Sequence, residues 1–292
     1  MEREEAERLL EVARAAWWAF PTSLGRPVAE EPGEAVERLL EERGRLAGAA
    51  RVLSPDEAAE LGARAWRVWV LARDEAGGRA FLAAALERGG SACDRALGLY
   101  GDGVLALRLG AVEEARELGE AALEAARACG EAEPLALAHV GLARAEFERG
   151  EYARARELAA AAREHARDLE LEVVRVPLHV EAQSIRMLGD LDRAAELLAE
   201  SLALNRRIGD LGMVGVEVHN IAHVELRRGN PARALELFAE LGPPDSLNAP
   251  FVAYAEGNTE RARQQLEAAP PATDLPPDDR AELEWLRASL AA

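Results

Sequence analysis

The 292-residue chain carries 53 acidic against 35 basic residues, a net charge of −18, and half of it is apolar with only 4% aromatics. So acidic a surface repels phosphate backbones and anionic headgroups, which disfavours nucleic acid and membrane as partners and leaves a neutral or basic protein segment easier to hold. All 35 basic residues are arginine, so chemistry that needs a lysine, whether a G-x-x-x-x-G-K phosphate loop or a Schiff base, is excluded.

Residues 1–20 have the apolar spacing of one helix, with Leu9, Leu10, Ala13, Ala16, Trp17 and Phe20 on its face, and the segment from Pro21 to Pro32 breaks it. A second amphipathic helix is expected from Glu34 to about Ala50. Ser54-Pro55-Asp56-Glu57 then opens a third with a capping serine, proline at the first helical position and acids in the first turn. That helix carries Trp66 and Trp69, three apart; these and the Trp17-Trp18 pair are the pattern of a helical core rather than a ligand cage. Its partner helix is expected from Gly77 to Arg88. The acidic N-terminus lacks the basic and apolar regions of a signal peptide, and no apolar run approaches the ~20 residues that span a bilayer, so a cytoplasmic location is expected. Cys93 and Cys129 stand singly in alanine-rich helical patterns, where reduced, buried thiols are expected.

From Leu97 onward four glycines recur, Gly110, Gly150, Gly189 and Gly229, at intervals of 40, 39 and 40 residues (150−110, 189−150, 229−189). Each closes a run of helix formers and precedes another, so the unit is a helical hairpin. Seven residues before each glycine stands Gly103, Ala143, Ala182 or Ala222. Five after stands Ala115, Ala155, Ala194 or Ala234, and twelve after stands Ala122, Ala162, Ser201 or, as the one departure, Leu241. Small side chains at fixed points let helices approach closely, so the spacing is a packing rule. Gly229-Asn230-Pro231 has the order of a left-handed glycine ending one helix, a capping asparagine and a proline opening the next. After Gly242 the period shortens; Gly257, Ala262 and Ala269 keep the spacing in a truncated hairpin. Pro270-Pro271 and Pro276-Pro277 make a stiff connector, and Asp278 to Leu290 is a last helix expected to cap the stack.

This pattern of small residue, turn glycine and two further small residues resembles the tetratricopeptide repeat, over about Leu97 to Ala269 and more loosely from Ser54. The period near 40 is longer than the familiar ~34 and in that respect is similar to the sensor arrays of LuxR/MalT-type bacterial regulators. The resemblance implies an all-α fold, a right-handed superhelix of antiparallel helical hairpins forming an α-solenoid. Residues 1–53 are then a helical cap, 54–242 the repeat array, and 243–292 the truncated repeat and capping helix.

It also implies that the first helices of the hairpins line a concave groove. Positions ten, six and three before the glycines then place Tyr100, Arg144, Phe147, His179, Gln183, Arg186, His219 and His223 in the groove, with Asn220 beside His219 on the same polar stretch. Arg144 and Arg186 facing inward suit the carboxylate or other anionic end of a peptide; the alternative is pairing with Glu146, Glu181 and Glu217. His219 and His223 form H-x-x-x-H, with His179 at the matching position one unit earlier. These three are either an open metal site or polar packing residues, and the motif lacks the glutamate of a zinc protease. Serines are few and none lies in G-x-S-x-G. The residues therefore favour a non-catalytic, cofactor-free peptide-binding module over a small-molecule sensor, and both over a metalloprotein or enzyme centred on His179, His219 and His223.

Overall fold

The computed structural model describes residues 1–17, 33–169, 171–271 and 275–291, and all regular structure among them is helical. Phe20, Trp18 and the break at 21–32 lie outside the described residues. Helix α1 (Arg3–Ala16) buries Leu9, Leu10, Ala13 and Ala16, as its periodicity requires. The expected helix at 34–50 is two helices, α2 (Glu34–Glu41) and α3 (Arg43–Val52), because Glu42 leaves helical geometry at φ −91°, ψ 7°. Ser54 caps α4 (Pro55–Ala65) in a reciprocal box, accepting from the Glu57 backbone N–H while the Glu57 carboxylate takes the Ser54 N–H at 2.8 Å. Trp66 separates α4 from the short α5 (Arg67–Ala72), and α6 (Glu75–Leu86) follows, capped by Asp74.

The repeat array begins at α7 (Ala92–Arg108) and continues through α8 (Val112–Cys129), α9 (Ala132–Glu148), α10 (Tyr152–Ala166), α11 (Leu171–Met187), α12 (Leu191–Ile208), α13 (Leu211–Arg227) and α14 (Pro231–Glu240). Each packs on the next, and α7 on α9 and α9 on α11 side by side, which brings the first helices of successive hairpins together as one face. The four turn glycines hold φ between +75° and +92°, the left-handed region that costs other residues roughly 1–2 kcal/mol. Gly130 and Gly209 do the same between hairpins, so the 40-residue period is two half-periods. The small positions are buried throughout: Ala143, Ala182, Ala222, Ala155, Ala194 and Ala234 are all at 0% exposure. Asp190 and Asn258 accept capping hydrogen bonds, but Asn230, where a cap was expected, does not; its amide donates instead to Glu225 at 2.7 Å, leaving Pro231 to open α14.

A short hairpin of α15 (Ala249–Ala255) and α16 (Thr259–Glu267) follows, and then α17 (Pro277–Ala291). One apolar core runs continuously from Ala6 in α1 to Val180 in α11, so residues 1–53 share the core of the array. A second gathers Val218, Leu226, Phe238 and Phe251 with Leu283, Leu286 and Leu290 of α17. Trp17, Trp66 and Trp69 are core residues: Trp66 stands edge-on to Tyr100 at 5.9 Å and Trp69 stacks on Phe81 at 4.3 Å. The expectation of reduced, buried thiols is corrected. Cys93 at the start of α7 and Cys129 at the end of α8 are half-buried and joined as a disulfide, since the antiparallel hairpin returns the chain to its starting level after 36 residues.

Candidate functional site

Two adjoining cavities lie on the face formed by the first helices. The first, ≈ 340 Å³, takes Tyr100 and Val104 from α7, Arg144 and Phe147 from α9, His179 and Gln183 from α11, Met213 and Val216 from α13, and Asp278 from α17. The second, ≈ 380 Å³, shares His179, Gln183, Val216 and Asp278 and adds His219, Asn220, Asn248, Asp245 and Asp279. Seven of the nine residues expected in the groove line one cavity or both: Tyr100, Arg144, Phe147, His179, Gln183, His219 and Asn220. They meet because residues at one position of successive hairpins stack as rungs along the array.

Arg186 and His223 line neither cavity; they are buried beneath α17. Arg186, 1% exposed, donates to Glu282 at 2.9 Å and to Asp278 at 3.1 Å. Arg227 also donates to Glu282, at 3.2 Å. The anionic group that Arg186 was expected to recognise is thus supplied by the chain's own C-terminal helix. Besides capping the last hairpin with its leucines, α17 reaches back with its acidic first turn to α11 and α13. The alternative pairing also fails for these arginines. Glu146 pairs with Arg149, Glu181 with Arg163, and Glu217 accepts from Ser201 and lies 2.9 Å from His179 Nδ1. Arg144 is half-buried with no ion-pair partner among the described residues.

The histidines do not assemble a metal site. Two of their nitrogens are engaged away from a common point, His179 Nδ1 with Glu217 and His223 Nε2 with Asn248 Oδ1 at 3.4 Å between the rings of Phe238 and Phe251, while His223 Nδ1 is buried without a partner. Among the described residues, only Cys93, Cys129 and Glu131 bring three donor atoms within reach of one ion, and there the two sulfurs are bonded to each other.

Burial lowers His219 to about 3, with His223 and Arg186 adding to the shift, and burial with Arg186 lowers His223 to about 3. Both imidazoles are therefore neutral at pH 7, and the 3.8 Å approach of His223 to Glu282 is not an ion pair. Burial, then repulsion from Asp278, raises Asp279 to about 6. The two effects have opposite signs in the pH dependence of stability. The unfolded histidines take up protons below about 6.5 and the folded ones do not until about 3, so stability falls over that window. Folded Asp279 holds its proton below about 6 and opposes the trend. Two groups with the larger shifts outweigh one, so urea unfolding at pH 5 should give a lower stability than at pH 7, and His219→Gln should flatten the slope. Equal stability at the two pH values would contradict the buried neutral pair.

Sequence reasoning missed Asp245, Asp278, Asp279 and Asn248 as lining residues. Asp278 and Asp279 stand in the first turn of the last helix, where acids suit the helix dipole, and nothing local tells that this helix folds back.

No family model matches the chain, and no curated protein matches it. Solved structures do. The Rap protein complexed with competence and sporulation factor aligns at TM-score 0.61, with 14% identity over 99% of this chain and 92% of that one. The apo form of RapI aligns at TM-score 0.59, with 12% identity over 98% and 99%. A Podosopora anserina protein of nearly identical TPR-like repeats aligns at TM-score 0.51, with 18% identity over 64% and 94%. The fold is that of a tetratricopeptide-like α-solenoid. Among the described residues no helix is long and apolar enough to cross a membrane.

Proposed function

We propose that this solenoid is a non-catalytic binding module that holds an extended protein or peptide segment along the face formed by α7, α9, α11 and α13. The observation that carries the reading is the pair of adjoining cavities built from equivalent positions of successive hairpins, with polar groups left without partners inside them. Among the described residues Arg144 has no ion-pair partner, and Gln183 Oε1 and Asn220 Nδ2 have no hydrogen-bond partner. A buried amide with an idle donor or acceptor costs roughly 1–3 kcal/mol, so two of them beside a cavity favour an occupant that supplies the missing bonds. An acceptor and a donor in one groove match the N–H and C=O of a peptide unit. The Rap protein complexed with competence and sporulation factor, on the same fold, supports the reading by analogy.

Arg144 is the residue to test, since it lines the first cavity and has no ion-pair partner among the described residues. In a screen of immobilised acidic and neutral peptides, the full chain should select segments carrying a carboxylate. Arg144→Ala should weaken the selected segment about 10–100-fold, the worth of one charge-assisted hydrogen bond, with an unchanged melting temperature. Selection of no peptide, or equal binding by Arg144→Ala, would overturn the assignment. Cavities of this size also fit a metabolite. A thermal-shift screen separates this sensor reading, because a tight small ligand raises the melting temperature by mass action.

A further inference from the structure

The second cavity differs in charge from the first, and the difference names part of the occupant. Its charged lining residues are all acidic: Asp245, Asp278 and Asp279, with no arginine among the described residues that line it. Asp278 is offset by Arg186. Asp245 accepts at Oδ1 from the backbone N–H groups of Leu247 and Asn248, at 3.1 and 2.8 Å, and has no ion-pair partner among the described residues. His219 Nε2 lies 3.9 Å from Asp279 Oδ1, but its burial keeps the ring neutral, so it does not offset that carboxylate. Asp245 and Asp279 therefore share a recess whose nearest cation, Arg186, is paired directly with Asp278 and Glu282 and not with either of them. Independently of the acids, Gln183 and Asn220, 5% and 3% exposed, line the same recess with an unpartnered Oε1 and Nδ2.

We propose that the second cavity is a cation subsite that receives the guanidinium or ammonium group of a basic side chain, while Gln183 and Asn220 engage the backbone of the residue that carries it. The inference rests on the reading of this face as a peptide groove and adds a polarity to it. The carboxylate of a bound segment sits at Arg144 and the basic side chain at Asp245 and Asp279, on either side of the residues shared by the two cavities. A guanidinium brings five N–H donors to a recess rich in acceptors and relieves the repulsion between its acids. The net charge of −18 draws such a segment from a distance.

The probes are the blocked pentapeptide Ac-Ala-Ala-Arg-Ala-Ala-NH2 and its citrulline twin, which has nearly the shape of arginine and no charge. Each is titrated into the 15N-labelled full chain at pH 7.5 and followed by chemical shift. The arginine peptide should shift the side-chain amide signals of Gln183 and Asn220 and bind at least about tenfold more tightly than the citrulline peptide. Asp279→Asn, isosteric at a half-buried helix start, should erase most of that difference, with an unchanged amide spectrum elsewhere showing that the fold is intact. Arg144→Ala should leave it in place. Binding of the arginine peptide should also weaken as pH falls through about 6, where Asp279, facing Asp278, Asp245, Glu282, Arg186 and His219, takes up its proton. Equal binding of the two peptides at these amides would overturn the cation subsite and leave the groove standing. Binding of neither would overturn the subsite, and the groove would then stand or fall on the Arg144→Ala experiment.

Discussion

Arg186→Met should lower the free energy of unfolding by about 3–5 kcal/mol, the cost of removing one partner from a buried ion pair. Arg186 and Glu282 are 1% and 2% exposed, and Glu282 would keep only Arg227 at 3.2 Å for its charge, with Oε2 already unpartnered. An exposed pair such as Arg154–Glu157 on α10 should instead contribute no more than about 0.5 kcal/mol. The size of the loss thus separates a structural clamp from a solvated contact. The double variant Arg186→Met with Glu282→Leu should recover most of the stability, because it removes both buried charges and leaves apolar side chains of similar volume. Urea unfolding of the four proteins closes the cycle. A loss under about 1 kcal/mol for Arg186→Met would mean that α17 does not sit where the structure puts it. Arg186, placed by its spacing in the groove, is therefore a structural residue, and Arg144 is the probe of the groove.

Trp66→Ala should cost about 3–5 kcal/mol, the range for deleting a large aromatic from a packed core. Trp66 is fully buried where α4 gives way to α5, with Tyr100 of α7 edge-on to it. Its ring lies on α7 because Gly101 has no side chain; a Cβ there would come within 2.7–2.8 Å of three ring atoms. Gly101→Ala should accordingly cost about 1–3 kcal/mol by overpacking, although alanine is the better helix former. If propensity won, Gly101→Ala would stabilise the protein, and thermal unfolding distinguishes the two signs. Tyr100 also lines the first cavity, so both variants should loosen one wall of the groove as well as the junction between the irregular N-terminal helices and the array.

Much of the fold was legible because repeat packing is local. Each helix needs only its neighbours, so a spacing of small residues counted from Gly110, Gly150, Gly189 and Gly229 reports real contacts. The same counting carried the rung positions, and seven of nine groove residues line the cavities. It failed where a contact depends on distant sequence. At Glu42, where the expected helix splits, the carboxylate accepts from Arg8 of α1, 34 residues away; the unused cap at Asn230 instead reflects a competing local partner, Glu225. The cysteines illustrate the larger limit: 36 residues apart and each alone in its helix, they give no motif, and only the antiparallel return of α8 on α7 brings them together.

By itself, then, the sequence determined an all-helical array of 40-residue hairpins, the glycines that turn it and the helices whose faces line the groove, because these are set by short-range steric rules repeated in register. Only the tertiary structure decided what those faces hold. Glu282 reaches Arg186 from 96 positions away, and that one long-range contact turns an expected ligand-binding arginine into a structural one. The same fold-back carries Asp278 and Asp279 to the rim of the cavities, leaving Arg144 open on one side and an acidic recess on the other. Loop closure at such separations depends on where the whole stack ends, which no local pattern encodes.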